Sequence, residues 1–382
     1  MSDLLVDRAE VFVLGPPVER HMWASDQTEM YMVGVFLRLT TKGGLVGMGA
    51  VGNFTPHDFD RSVAETLRPM LPMLIGADPL DRETWYLKTT NRLIQAAPQA
   101  QSAIDIALWD LAAKHAGLPL YQFLGGSRTK VPSYASTPML KDAAAYVDFV
   151  GELMGRGYTA TKLHCWCEFD RDLPMVQAVR KRYGEDKLAI MLDVEQRYPI
   201  EDAMRALPIL GEARATWFEA PILDLDVYGY RSLTQKGLVD VIPAGNSIID
   251  PAMVSFCAEQ GVWSRIRVDA TTCGGITPAR KIMGLAEARS MKVELQSWGF
   301  TPIQAANLHL MLAYGNCTYF EQAVPYDAFE FGSLDPIRTD AQGFVHAPTG
   351  PGLGIRVDWD AIAGASFLRF EQTKAGLKVL AS

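Results

Sequence analysis

Positive charge is what this sequence is short of. Its 36 Lys and Arg residues are outnumbered by 44 Asp and Glu, for a formal net charge of −8, and the pI is near 5.4. No Lys/Arg cluster breaks that balance. A nucleic-acid partner is excluded on this ground, because neutralising phosphates needs a basic face. Long apolar runs are missing too: none approaches the ~18 residues that a membrane-spanning helix requires. The opening stretch MSDLLVDRAE carries acids where a secretory signal would carry a basic region followed by an apolar one. The expectation is a cytoplasmic protein with no membrane partner. Cysteine is also scarce. The five present, Cys165, Cys167, Cys257, Cys273 and Cys317, are scattered and odd in number, which points to reduced thiols rather than a disulfide framework. A single residue separates Cys165 from Cys167, closer than the spacing of a zinc pair, and no second pair follows. There is no internal repeat and no low-complexity tract.

What remains is the composition of a soluble globular protein, 48% apolar and 21% charged. At 382 residues the chain exceeds one ordinary compact core, so two domains are expected, one of them a large barrel. Alternating runs at Val6 to Leu14, Tyr31 to Leu39 and Leu45 to Val51, the last two joined by Lys42-Gly43-Gly44, predict antiparallel strands. The polar stretch Glu19 to Glu29 between them predicts a loop that covers a site. Helical spacing then takes over at His57 to Leu74, Leu80 to Ile94 and Gln99 to Ala116. In the third helix Ile104, Ala107, Leu108, Leu111 and Ala112 share one face. Strands followed by helices predict an α+β domain over residues 1–130.

From Val131 the rhythm becomes strand, helix, strand, helix. Apolar runs begin near Val131, Ala160, Leu188, Ala215, Leu238, Arg265, Lys292 and Thr318, with amphipathic helices between them. The spacing is that of a (β/α)8 barrel over residues 131–325. Residues 326–382 loosen into Gly/Pro-rich turns and a last amphipathic piece expected to return to the first domain.

Barrels of this kind carry their chemistry at the C-terminal ends of their strands. The third and fourth strands stop on Asp193 and Glu219, two oxygen ligands at the same end of a parallel sheet, which outlines a metal site. The second strand puts Lys162 and His164 on one side, because strand side chains alternate. The fifth ends in Gly245-Asn246-Ser247, the sixth in Asp269, the seventh in Gln296-Ser297-Trp298-Gly299, and the eighth, Cys317 to Phe320, in Glu321-Gln322.

Four stretches then become specific: Ser102 to Leu111 (SAIDIALWDL), Trp217 to Pro221 (WFEAP), Gly274 to Thr277 (GGIT) and Pro351 to Gly354 (PGLG). They resemble stretches typical of the enolase superfamily, in its mandelate racemase and muconate lactonizing enzyme branch, and the similarity runs over nearly the whole chain. The resemblance implies an α/β fold, a (β/α)8-type (TIM-like) barrel with an N-terminal α+β capping domain completed by the C-terminal segment. It implies a divalent metal, usually Mg²⁺, that holds a substrate carboxylate while a base removes the adjacent proton. It also implies assembly into a homo-oligomer.

Carried over by position, Asp193 and Glu219 match the first two metal ligands. Asn246 matches the third, where most relatives have Glu and the glucarate dehydratase group has Asn. The family's Lys-x-Lys reads Lys162-Leu163-His164 here, which makes His164 the expected base and Lys162 its charged neighbour. Racemases of the family pair an Asp ending strand six with a His ending strand seven. Asp269 matches the Asp, but Gln296 stands at the His position, unless His21 or His57 reaches in from the cap. Glu195 is a second acid/base candidate, and Glu321 matches the strand-eight carboxylate that bonds to the substrate.

One clear base disfavours racemisation, which needs proton donors and acceptors on both faces of a carbon. It favours dehydration of an acid sugar to a 2-keto-3-deoxy acid, in which one group can take the α-proton and return it to the leaving hydroxyl. An epimerase, racemase or cycloisomerase of a carboxylate is the second enzymatic reading. A barrel that has lost catalysis and keeps a metal or ligand is the reading from another class.

Overall fold

The structure, a computed structural model, describes residues 2–16, 33–52, 58–92 and 97–381. The covering loop expected at Glu19 to Glu29, most of the loop between Gly52 and Phe59, and both His21 and His57 lie outside the described residues.

The alternating runs form three antiparallel strands, β1 (Val6–Leu14), β2 (Gly34–Thr41) and β3 (Val46–Gly52), with Gly44 at φ 83° in the turn between the last two. Five helices follow: α1 (Asp58–Leu67), α2 (Leu71–Leu74), α3 (Arg82–Arg92), α4 (Pro98–His115) and α5 (Leu120–Phe123). The single helix expected over His57 to Leu74 is thus divided. Pro69 divides it: proline brings no N–H and disfavours helical geometry at Arg68, and the Leu67 carbonyl accepts from the Met70 N–H at 2.8 Å instead.

Helix α4 has two buried sides where its sequence pattern showed one. Ile104, Ala107, Leu108 and Leu111 face the cap sheet, while Ile106, Trp109 and Ala113 join the barrel core. It lies directly on β3 because glycines leave room: a Cβ at Gly49 would stand 2.0 Å from the Ala103 carbonyl oxygen.

The barrel then unrolls as β4 (Lys130–Ser136), α6 (Ala143–Gly155), β5 (Ala160–His164), α7 (Phe169–Arg182), β6 (Ala189–Asp193), α8 (Ile200–Glu212), β7 (Trp217–Glu219), α9 (Val227–Thr234), β8 (Asp240–Ile242), α10 (Pro251–Glu259), β9 (Ile266–Val268), α11 (Ile276–Ala288), β10 (Val293–Leu295), α12 (Thr301–Ala313) and β11 (Phe320–Ala323). Strands β4 to β8 are parallel neighbours, β11 closes onto β4, and β9 pairs with β10. The register sets His164 opposite Asp193, and Asp193 opposite Glu219. Neighbours in register share a face, so these three stand in a row at one rim.

After the barrel come β12 (Phe344–His346), α13 (Trp359–Gly364), β13 (Ser366–Thr373) and β14 (Gly376–Ala381). β13 pairs with β1, giving the cap sheet the order β14-β13-β1-β2-β3, so the C-terminal segment does complete the cap. The other face of that sheet, through Phe12, Phe36 and Ala50, packs on Trp298, Phe300 and Ile303 at the barrel mouth. No helix among the described residues is long and apolar enough to cross a membrane. All five cysteines are free.

Cap and barrel are joined by the same residues that make the sequence stretches specific. Asp105 of α4 accepts from the Thr277 N–H at 2.8 Å and the Thr277 hydroxyl at 2.6 Å, and that hydroxyl accepts from Trp109 Nε1 at 2.9 Å. Asp110 takes the Met48 N–H at 2.9 Å and the Leu353 N–H at 2.7 Å, tying α4 to β3 and to the Pro351 to Gly354 turn.

His309 of α12 is a further tie with a pH signature. Its Nδ1 accepts the Tyr121 N–H at 3.0 Å, so the ring is neutral there and Nε2 donates to the Leu353 carbonyl at 3.0 Å. Burial lowers its pKa from 6.5 to about 4. Between those values the unfolded chain binds a proton that the folded chain refuses, so stability falls as pH drops through that window. The expected loss is about 3 kcal/mol at ~1.4 kcal/mol per unit. Urea midpoints at neutral and acid pH should show a shallower fall in His309→Gln than in wild type; equal slopes would rule the assignment out.

Candidate active site

Strands β5, β6, β7, β9 and β11 each bring a charged side chain into the barrel, and three of these, Asp193, Glu219 and Glu321, meet at the ammonium group of Lys162. Lys162 Nζ lies 3.0 Å from Asp193 Oδ2, 2.8 Å from Glu219 Oε1 and 2.8 Å from Glu321 Oε1, with all four side chains buried. Arg267 of β9 adds a second cation, its NH2 3.0 Å from Glu219 Oε1 and 2.8 Å from Glu321 Oε2. Trp217 Nε1 donates to Glu219 Oε2 at 2.9 Å, and the Ser136 hydroxyl donates to Glu321 Oε1 at 3.1 Å.

Their ionisation follows from this layout. Burial alone would raise the Glu321 carboxyl, but Lys162 and Arg267 hold it down to about 2. Asp193, equally buried, is held well below the usual carboxylate range by Lys162 and His164. Glu219 goes the other way: burial lifts it to about 7 against the pull of Arg267 and Lys162.

His164 stands at the outer edge of this network. Nδ1 is 2.7 Å from the Thr137 carbonyl, which can only accept, so Nδ1 carries a proton and Nε2 is left for chemistry. Nε2 lies 3.4 Å from Asp193 Oδ2 and 3.3 Å from Glu195 Oε1, and Trp298 packs edge-on against the ring at 5.6 Å. Burial would depress this imidazole, but its bonds to Asp193 and Glu195 outweigh that and lift it to about 10. Glu195 reaches the ring because its backbone sits at φ 50°, followed by Gln196 at φ 63°. Left-handed geometry at two non-glycine residues is held in place by the Glu195 N–H donating to Asp193 Oδ1 at 3.0 Å.

The remaining expected residues are placed differently. Glu321 lies inside β11 rather than after it, which seats it deeper in the lumen. Asp269 follows β9 and is buried, its Oδ1 engaged by Thr271 and Asn307. Gln296, half-buried after β10, donates its N–H to the Val268 carbonyl at 3.1 Å. Asn246 is exposed, and its N–H points to Asp224 Oδ2 at 3.4 Å; Asp224 also takes the Ala244 and Gly245 N–H groups and so shapes that loop. Lys162, His164, Asp193, Glu195, Glu219 and Glu321 are thus brought together, and Asn246 stands apart from them at the rim.

Arg267 and Asp224 escaped the sequence reading. Arg267 was open to the parity argument that found Lys162 and His164, because it lies two residues before Asp269 and shares its side of the strand.

A divalent cation fits this site on charge. Asp193, Glu195, Glu219 and Glu321 outnumber Lys162, Arg267 and the His164 imidazole, an excess of negative charge that burial makes costly. Asp193, Glu195 and His164 present ligand atoms all within 4.8 Å of one another. With Nδ1 committed to Thr137, however, a cation on His164 Nε2 would consume the one ring lone pair that can take a proton.

Comparison with known proteins shows the family. The profile of the mandelate racemase/muconate lactonizing enzyme N-terminal domain matches residues 8–125, and that of the enolase C-terminal domain-like family matches residues 145–361. The chain belongs to the mandelate racemase/muconate lactonizing enzyme branch of the enolase superfamily. This family member is 30% identical to a D-gluconate dehydratase of Thermoproteus tenax over 85% of its own length and 68% of the relative's. It superposes on a Pseudovibrio sp. protein described as a mandelate racemase/muconate lactonizing enzyme with a TM-score of 0.94 and 40% identity, covering 97% and 99% of the two chains. It is also similar to the D-glucarate dehydratase from Agrobacterium tumefaciens, solved with magnesium, at 26% identity and a TM-score of 0.81 over 96% and 100% of the chains. Racemases, epimerases and cycloisomerases are among its other relatives.

Proposed function

We propose that this protein is an acid-sugar dehydratase that takes the proton α to a carboxylate and releases water, giving a 2-keto-3-deoxy acid. The observation that carries the reading is one-sidedness: His164 Nε2 is a fixed base at the strand ends, while the position for a second imidazole holds Gln296. Glutamine cannot take a proton at neutral pH, so among the described residues stereochemical exchange at the α-carbon lacks a second imidazole. The D-gluconate and D-glucarate dehydratases among the relatives point the same way.

Asp193 and Glu219 are the carboxylates that would hold Mg²⁺, with Asn246 turning in from the rim, and the ion would supply electrostatic stabilisation of an enediolate. This arrangement leaves His164 outside the ion's ligand set, and the ion's charge on Asp193 would offset the carboxylate pull that now keeps the imidazole protonated, freeing Nε2 to take a proton. Lys162 adds fixed positive charge beneath the reacting carboxylate, Glu321 orients Lys162, and Glu195 holds the imidazole by its edge.

A screen of aldonic and aldaric acids with Mg²⁺, scored for keto-acid formation, tests this. At least one acid should be converted, and a chelator should abolish the conversion until Mg²⁺ is restored. Isomers of unchanged formula in place of keto acids would show an epimerase, and an inert library with Mg²⁺ bound would show a barrel without catalysis.

A further inference from the structure

We infer that Asp269 is the proton donor to the departing hydroxyl, on the side of the mouth where Gln296 replaces a histidine. The inference rests on the dehydratase reading above and adds a second acid to it.

The carboxyl is built asymmetrically. Oδ1 accepts three donors: the Thr271 N–H at 2.7 Å, the Thr271 hydroxyl at 2.8 Å and Asn307 Nδ2 at 2.7 Å. The Asn307 amide is oriented independently, because its Oδ1 accepts the Ala270 N–H at 3.0 Å and so turns Nδ2 toward the acid. Oδ1 therefore has no room for a proton, and any proton on this carboxyl sits on Oδ2. Oδ2 is buried and has no hydrogen-bond partner among the described residues. A buried carboxyl oxygen left unmatched while its twin takes three donors calls for a partner, and a substrate hydroxyl is of the right chemistry.

Direction is set by the strand. Arg267 points into the lumen, where it meets Glu219 and Glu321, and Asp269 lies two residues on, with the same parity. The groups around it are Arg267 on its own strand, Thr271 and Cys273 on the turn that follows, and Asn307 from α12. No carboxylate among the described residues lies within hydrogen-bond distance of Oδ2. Burial raises Asp269 to about 6 against these hydrogen bonds, so the acid form is accessible near neutral pH.

The step balances. His164 Nε2 takes the α-hydrogen as a proton, and the C–H electron pair enters the enediolate. That pair returns to form the C2=C3 bond as the C3–O bond breaks. The departing oxygen takes the proton from Oδ2 and leaves as water. The enol then becomes the ketone: C3 receives the proton held by His164, and the enol O–H proton passes to the Asp269 carboxylate. Both groups are restored, and the net change is loss of one water.

Asp269→Asn is the test, since an amide oxygen can keep the three bonds at Oδ1. It is compared with wild type on an acid sugar from the screen and on its 3-deoxy-3-fluoro analogue, whose fluoride leaves without protonation. In D269N, keto-acid formation from the hydroxy acid should fall about 10²- to 10⁴-fold, while the fluoro analogue stays within about fivefold. In D₂O the recovered hydroxy acid should still gain deuterium at C2. A wild-type-minus-D269N infrared difference spectrum of the Mg²⁺-loaded protein should show a protonated carboxyl band at about pH 5 that is gone at about pH 8. Turnover of the hydroxy acid undiminished in D269N overturns the inference alone, because His164 would then be returning the proton itself. Equal losses on both substrates reduce Asp269 to a structural role. A wild type inert toward every acid sugar sinks the dehydratase reading and this role with it.

Discussion

His164→Gln should lose keto-acid formation by a factor of about 10² to 10⁴, the contribution of a positioned general base, while Mg²⁺ affinity and the unfolding midpoint stay close to wild type. Glutamine is the informative replacement because its amide N–H can still donate to the Thr137 carbonyl that now holds Nδ1 at 2.7 Å. What it lacks is a lone pair that takes a proton. The Asp193 and Glu195 oxygens near Nε2 lose a neighbour, but Asp193 stays where Lys162 and the Glu195 N–H hold it. The loss should therefore appear in kcat rather than in metal binding. Magnesium titration by calorimetry alongside steady-state kinetics separates the two, and full turnover in H164Q would remove His164 from the chemistry.

Lys162→Met carries the largest expected effect on stability. The side chain is 2% exposed and stands between Asp193, Glu219 and Glu321, so methionine preserves most of the volume and removes the charge these carboxylates share. Removing one partner from a buried ion pair costs about 3 to 5 kcal/mol, because the charge left behind is neither hydrated nor matched. Arg267 still reaches Glu219 and Glu321 but is not within ion-pair distance of Asp193, so the carboxylate row is undercompensated at its outer end. A divalent cation then becomes part of the folded state's stability, through mass action on a site that the unfolded chain lacks. Melting curves with Mg²⁺ and with chelator should differ more for K162M than for wild type. A variant as stable as wild type in chelator would show that the ammonium is not what holds these acids together.

Much of the architecture was legible because its signals are local. Unbroken apolar runs ending in an acid mark β6 and β7, and the i, i+2 rule puts Lys162 and His164 on one side of their strand. What could not be read is what depends on neighbours far along the chain. The pattern of α4 shows one apolar face, since Ile106, Trp109 and Ala113 become core only where the barrel meets them. Pro69 stands in the sequence, but amphipathic spacing continues through it and masks the break in the helix. Glu321 was placed after its strand because the apolar run ends at Phe320, although the ladder continues through Ala323 to pair with Ser136. Arg267 was missed because a lone arginine in a buried strand has no apolar signature, and its purpose shows only in the two carboxylates it bridges. Asn246 was found by resemblance, which carries position in the chain and not side-chain direction; here the residue is exposed. The stretches that carried the resemblance most clearly, around Asp105, Thr277 and Leu353, prove to be joints between cap and barrel and not chemistry. They specify the frame, while the reaction rests on the strand ends.

The most direct measurement is an anomalous difference map from crystals soaked with Mn²⁺ in place of Mg²⁺. The proposed chemistry predicts one peak bound by the carboxylates of Asp193 and Glu219, with the Asn246 side chain turned inward and His164 Nε2 outside the coordination sphere. A peak on His164 Nε2, or none at these carboxylates, would contradict it.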